Sequence, residues 1–197
     1  MPGVNVSVTV GSSRRDSING RLARAPIRLA EGKLAASFVQ IDDLSMYSQD
    51  LESPLPASVA RFMAWVEDVA ALLFVSPEHN RSVLAVLKNA IDWGTRSYGR
   101  NSWAGKGVAI IGGAAWGPSA RAGAIGTAMA PQHLRNVLGD LGALVMGSVA
   151  YVAFKPDLIE EADTVTDAGT LRFLQSFVDQ IAGFAARLTS TPLAAAA

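Results

Sequence analysis

Cysteine is missing from all 197 residues, which removes disulfides, thiolate nucleophiles and thiolate-bound metals together. Histidine is almost missing, with His79 and His133 the only two. No Gly-x-Ser-x-Gly elbow accompanies them, so neither a Ser-His-Asp hydrolase nor a His-rich metal site is expected. Charge of one sign is also lacking. Seventeen basic residues balance seventeen acidic ones, leaving no field to hold a phosphodiester backbone or an anionic bilayer, and neither nucleic acid nor membrane is an expected partner. No apolar run approaches the roughly 20 residues of a membrane span. Met1-Pro2-Gly3 leads directly into a β-branched run with no secretory pattern, so a cytoplasmic location is expected. With half its residues apolar and 17% charged, the composition is that of a compact globular protein.

What is present is an alternation of short apolar runs with longer stretches of helical period, the pattern of βαβ units on a parallel sheet. Strands are expected near residues 4–10, 35–41, 71–76, 107–113 and 144–152. The first helix is expected over 18–31, with Ile18, Leu22, Ala25 and Leu29 on one stripe and a kink at Pro26. Others are expected over 57–70, 83–97, 119–141 with an interruption near Pro131, and 167–188. The pattern predicts an α/β, doubly wound, five-stranded parallel sheet in the order 2-1-3-4-5 with helices on both faces. It reads as a single domain over 1–188 with a loose tail at 189–197.

In that order a ligand sits at the carboxyl ends of the strands, beside the switch point between the first and third. Three loops matter there: 11–19, 77–82 and 113–121. The first, Gly11-Ser12-Ser13-Arg14-Arg15-Asp16-Ser17-Ile18-Asn19, follows a strand and opens a helix. Backbone N–H groups and the helix's positive end stabilise a phosphate at such a place. Ser12, Ser17, Asn19 and Arg14 add side-chain donors, the last able to form a forked pair. The second loop, Ser76-Pro77-Glu78-His79-Asn80-Arg81-Ser82, offers hydrogen-bonding groups suited to framing a flat heterocycle. The third, Gly112-Gly113-Ala114-Ala115-Trp116-Gly117, pairs small residues that permit close backbone approach with one large aromatic. The segments 43–56 and 155–166 are long and polar, and each is either a wall of the site or a surface connection. Gly99 to Lys106 has some likeness to a P-loop, but Gly107 stands where Ser or Thr is required.

Three motifs, Gly11-Ser12-x-Arg14-x-x-Ser17-x-Asn19, Pro77-Glu78-x-Asn80-x-Ser82 and Val86-Leu87-Lys88-Asn89-Ala90-Ile91-Asp92-Trp93, resemble those of the NAD(P)H-dependent FMN reductase family. That family includes bacterial quinone, chromate and azo reductases. Weaker likenesses, Tyr47-x-Gln49-Asp50, Ala104-Gly105-Lys106 and Ala120-Arg121, fall in the same order along the chain. The resemblance implies a flavodoxin-like fold with FMN as cofactor. Ser12, Arg14, Ser17, Ile18 and Asn19 would hold the FMN phosphate. Pro77, Glu78, His79, Asn80 and Ser82 would line the isoalloxazine, and Gly113, Ala114 and Trp116 would approach the ribityl chain or ring edge. Arg96 and Arg121, with His79, would stand near the acceptor site or a subunit interface. Three positions depart from the family's pattern. His79 replaces a tyrosine, Arg81 a small residue, and Val83-Leu84-Ala85 replaces a Pro-Gly turn.

The implied activity is transfer of a hydride from NADH or NADPH through FMN to a small-molecule electron acceptor in ping-pong order. No nucleophile or metal is required. The resemblance also implies a homodimer or homotetramer. A non-catalytic flavin carrier or sensor is the alternative reading, but carriers of that fold are usually strongly acidic and this chain is neutral.

Overall fold

Six consecutive buried residues, Ala71 to Ser76, form the middle strand of a five-stranded sheet, as a continuous apolar run does when both faces are covered. The computed structural model describes residues 3–115, 127–160 and 162–190. In chain order the elements are β1 (Val4–Val10), α1 (Ile18–Leu29), β2 (Leu34–Val39), α2 (Ala57–Glu67), β3 (Ala71–Ser76), α3 (Ala85–Trp93), β4 (Gly107–Ala115), α4 (Met129–Asp140), β5 (Leu144–Phe154) and α5 (Ala168–Ser190). The strands lie in the order β2-β1-β3-β4-β5 and every pair is parallel, as expected.

Two apolar layers flank the sheet. On one face Leu22, Ala23 and Ala25 of α1 meet Leu174, Phe177 and Ile181 of α5 over Val6, Val8, Leu73 and Val75. On the other, α2, α3 and α4 bring Phe62, Met63, Leu87, Ile91, Leu134 and Leu138 onto Leu72, Phe74, Val108 and Ile110. The chain crosses from one face to the other between α1 and α2, which parts the loops after β1 and β3 and opens the crevice between them.

The boundaries differ from expectation where local chemistry intervenes. Helix α3 is shorter at both ends than 83–97, because Leu84 is extended (φ −71°, ψ 152°) and Gly94 ends the helix. Pro131 does not interrupt α4. It stands in the first turn, where its missing N–H has no helical acceptor to satisfy. Pro26 lies in the last turn of α1. Helix α5 runs to Ser190, two residues past the expected end, and residues 191–197 lie outside those described.

Segment 43–56 is fastened down. Asn89, buried on α3, accepts from the Tyr47 N–H at 2.8 Å and donates to the Leu44 and Ser45 carbonyls, while Trp93 Nε1 donates to Ser45 O at 2.7 Å. Segment 155–166 is fastened to α1 by the Arg24–Asp163 ion pair and a hydrogen bond from Arg28 to Ala162 O. Among the described residues no helix is long and apolar enough to cross a membrane.

Candidate functional site

The loop after β1 is built around unpaired donors. Gly11 N–H ties the loop to Val75 O at 2.9 Å, and a Cβ at Gly11 would stand 2.9 Å from Leu87 Cδ2, so only glycine fits there unstrained. Ser17 caps α1: its Oγ accepts from the Asn19 N–H at 3.2 Å. Ser12 Oγ accepts from the Arg14 N–H at 3.4 Å. Both hydroxyls use a lone pair in these contacts and keep their protons for an outside acceptor. The N–H groups of Ser12, Ser13, Arg15, Asp16 and Ile18 find no acceptor among the described residues. Arg14 is exposed, and its guanidinium has no partner among the described residues. Free amides, two hydroxyl donors, a guanidinium and the positive end of α1 at one spot are the donor set of a phosphate site, and the residues present fit the phosphate end of a flavin nucleotide.

Two expected members of this loop behave otherwise. Asn19 is 2% exposed, and its Nδ2 donates to Gly113 O at 3.3 Å, bracing β4 rather than facing the mouth. Its Oδ1 is buried without a partner among the described residues. The Ile18 side chain packs against the core layer beneath.

The loop after β3 is a tight hairpin. His79 N–H donates to Ser82 O and Ser82 N–H to His79 O, both at 3.0 Å. Asn80 and Arg81 between them take φ of 49° and 64°, the left-handed pair of a type I′ turn. Glu78 does not lie open to a ligand: its side chain is 8% exposed, and Oε2 accepts the N–H groups of Met129 at 2.8 Å and Ala130 at 3.2 Å. The carboxylate thus caps the N-terminus of α4, next to this hairpin because β3 and β4 are neighbours. Ser82 Oγ meets His133 Nδ1 at 3.0 Å. Pro77 is half-buried and its carbonyl accepts from Ser76 Oγ, while His79 and Asn80 are exposed.

The third loop begins later than expected, since β4 continues through Ala115 and contains Gly113 and Ala114. The glycines there serve packing. A Cβ at Gly112 would stand 2.5 Å from Thr127 Oγ1 and 2.9 Å from Pro131 Cγ, and one at Gly113 would meet Asn19 Oδ1 and lie 2.6 Å from Leu22 Cδ2. Helices α4 and α1 therefore occupy the space that the sequence suggested for a ligand. Trp116 and Arg121 lie outside the described residues.

Arg96 stands past the far end of α3, about 12 Å of helix from the hairpin side. Its guanidinium lies 5.0 Å over the Tyr47 ring and its Nε 3.8 Å from Glu52 Oε1. Tyr47 donates to the same Glu52 oxygen at 2.8 Å, and this hydrogen bond chiefly raises its phenol above the ordinary pKa. The structure brings the 11–18 and 77–82 loops together at one edge of the sheet and sets Arg96 apart from them. Sequence reasoning missed Asn89 and His133. Asn89 is a polar residue within a run of buried positions, which is a legible sign of a brace. The His133 partnership has no local sign, because it depends on α4 lying over the hairpin.

An anion cradle at the switch point of a doubly wound sheet, with a second loop beside it, defines the flavodoxin-like class of nucleotide-binding fold. Comparison with known proteins agrees. The model of the NADPH-dependent FMN reductase family matches residues 4–157. The chain is 39% identical over 182 residues to a 2-hydroxy-1,4-benzoquinone reductase from a Burkholderia species, covering 92% of this chain and 96% of that one. It is likewise 39% identical over 183 residues to a quinone reductase from Pseudomonas putida, covering 91% and 94%. Among solved structures, FerB, a flavoenzyme NAD(P)H:(acceptor) oxidoreductase from Paracoccus denitrificans, superposes with a TM-score of 0.86 at 40% identity, covering 93% of this chain and 98% of that one. The chain belongs to the NADPH-dependent FMN reductase family. It is therefore an FMN-dependent oxidoreductase that takes its hydride from NAD(P)H.

Proposed function

We propose that this enzyme reduces quinones and related small oxidants with NAD(P)H, holding the FMN phosphate on Ser12, Arg14, Ser17 and the free N–H groups of residues 12–18. The observation that carries the binding reading is that set of amides without internal acceptors beside two hydroxyls and a guanidinium. The choice of quinones is supported by relatives named as quinone reductases along almost their full length. When bound, FMN would supply the redox chemistry, accepting a hydride from NAD(P)H and passing a hydride on to the quinone, which with one proton from solvent becomes the hydroquinone.

The chain's own residues bind and orient. Arg14 and the end of α1 neutralise the phosphate. The hairpin 77–82 stands as the wall for the ring, and its Glu78, Asn80 and Arg81 N–H groups, which have no acceptor among the described residues, are donors for ring carbonyls. Donor and acceptor share one open face, so the enzyme works in ping-pong order at the carboxyl edge of the sheet.

The enzyme acts as a dimer or a dimer of dimers. Two side chains support this: Tyr98 is 93% exposed and Met46 72% exposed, each near the Tyr47–Arg96 stack. Trp93, by contrast, is fully buried and is no part of an interface. Light scattering of wild type and of Tyr98→Glu tests this, and a fully active wild-type monomer would refute it.

Reconstitution of the apoprotein tests the main reading. One FMN should bind per chain, riboflavin should bind far more weakly, and Arg14→Ala should lose about 1.5–3 kcal/mol, the scale of a charge-assisted hydrogen bond. NADPH or NADH with 1,4-benzoquinone should give parallel double-reciprocal lines. Equal affinity for riboflavin and FMN would refute the cradle, and absence of NAD(P)H oxidation with any quinone would refute the choice of acceptor.

A further inference from the structure

We propose that His133 on α4 is a positioning residue for the flavin ring, acting through Ser82 to fix where the 77–82 hairpin stands. The inference rests on the reading above, in which that hairpin walls the ring.

The hairpin cannot hold itself. Its own backbone contributes two hydrogen bonds, between His79 and Ser82, and its turn places Asn80 and Arg81 at positive φ. Arginine has no local hydrogen bond to offset the clash of its Cβ there. The Arg81–Glu78 contact, at 3.4 Å, is long and largely exposed on the arginine side. The remaining side-chain ties run to α4. Glu78 grips the helix at Met129 and Ala130, and Ser82 meets His133. Met129 and His133 are four residues apart and so share one face of the helix. The hairpin is therefore tied on both sides to the start of one helix, at the helix end through Glu78 and at its side through His133. The helix is itself seated on β4 by its other face, where Pro131 fills the space beside Gly112.

These two ties differ in what they can fix. Glu78 bonds backbone N–H groups, which locates the helix end. The Ser82–His133 contact joins two side chains across the hairpin's returning strand, and among the described residues Ser82 is the only hydrogen-bond partner of the His133 ring. A histidine has two side-chain torsions, so its ring holds the serine hydroxyl in one place with little ordering cost. Losing the contact leaves the His79–Ser82 frame able to turn about its Glu78 anchor. The free N–H groups of Asn80 and Arg81 turn with it. The environment of the ring then changes while the phosphate cradle, on a different loop, stays intact.

The test uses FMN-loaded wild type, His133→Ala, Ser82→Ala, the double variant and His133→Asn, whose side-chain amide reaches the position of Nδ1. Each single alanine variant should alter the visible absorption and circular dichroism of the bound flavin and weaken FMN binding about two- to tenfold, the loss of one neutral hydrogen bond. The double variant should be no worse than either single, because one contact is removed only once. His133→Asn should restore the wild-type flavin spectrum. Thermal melting of the apoproteins separates a merely structural role, which would lower the melting temperature and leave the bound-flavin spectrum unchanged. Unchanged flavin spectra in both single variants, or additive losses in the double, would overturn the proposal alone. A wild type that takes up no FMN would overturn the cradle and this inference with it.

Discussion

Removing the Glu78 carboxylate should destabilise the apoprotein by about 2–3 kcal/mol. Its Oε2 receives two backbone N–H groups, from Met129 at 2.8 Å and Ala130 at 3.2 Å, and its side chain is 8% exposed. A hydrogen bond to a charged group contributes about 1.5–3 kcal/mol net when its loss leaves the partner unsatisfied. Two such bonds on one oxygen contribute less than twice that. Loss of a helix cap alone costs about 0.5–2 kcal/mol, and a negative charge at the positive end of a helix adds about 0.3–1 kcal/mol. Ala128, at the cap position itself, has no side chain to take over. Glu78→Gln keeps an acceptor oxygen and loses only the charge, so it should cost about 1 kcal/mol.

For a chain of this size each kcal/mol moves Tm by about 2–4 °C. Glu78→Ala should therefore melt about 4–12 °C below wild type in calorimetry, and Glu78→Gln about 2–4 °C below. Urea unfolding should give the same order with unchanged slopes. The measurement belongs on the apoprotein, so that flavin binding does not add to the folded state. An alanine variant as stable as wild type would show that the cap contributes nothing. A glutamine variant as damaged as alanine would show that the effect is one of charge alone.

Three further outcomes are expected. Asn89→Ala leaves the Tyr47 N–H and the Leu44 carbonyl without their partner and the Ser45 carbonyl with Trp93 Nε1 alone, and should cost about 2–4 kcal/mol in urea unfolding and expose segment 43–56 to limited proteolysis. Arg81→Gly relieves a left-handed backbone in a type I′ turn and should raise stability by about 0.5 kcal/mol after the greater freedom of glycine in the unfolded chain is subtracted. Arg100→Gln removes the hydrogen bonds that hold the Glu67 carboxyl below its ordinary pKa. A lowered carboxyl pKa stabilises the fold above the unfolded value and loses that effect as pH falls through the folded value. The substitution should thus cost little at pH 7, because both groups are partly exposed, and progressively less as pH falls through the folded value, as read by urea unfolding across that range.

The strand order and the place of the loop after β1 were legible because strand–helix alternation and a Gly-Ser turn are local pattern. Ala71 to Ser76 reads as a central strand from its unbroken apolar run, and it is buried throughout. Ser17 reads as a hydroxyl donor at a helix start, and the structure adds that its Oγ caps α1. The misreadings share a cause. Pro131 breaks a helix only if the helix has already begun, and where α4 starts is decided by contacts from Glu78, far away in the chain. The segment 83–97 has an apolar period longer than its helix, because Val83 and Leu84 are taken up by the exit from the hairpin. Periodicity reports which residues face inward. It does not report where the backbone turns.

The glycines at the end of β4 carry that argument to the site itself. A Gly-Gly at the carboxyl end of a strand in this fold invites a ligand reading, because close backbone approach is one reason for glycine. At Gly112 and Gly113 the atoms that approach are Thr127, Pro131, Asn19 and Leu22. The glycines let α1 and α4 sit against the strand end, and those helices bring the two loops that matter to the same edge: the cradle at the start of α1, and the hairpin gripped by the start of α4 through Glu78 and His133. Glycine here shapes the strand end through the helices it admits. A residue larger than glycine at either position would displace a helix before it met a flavin.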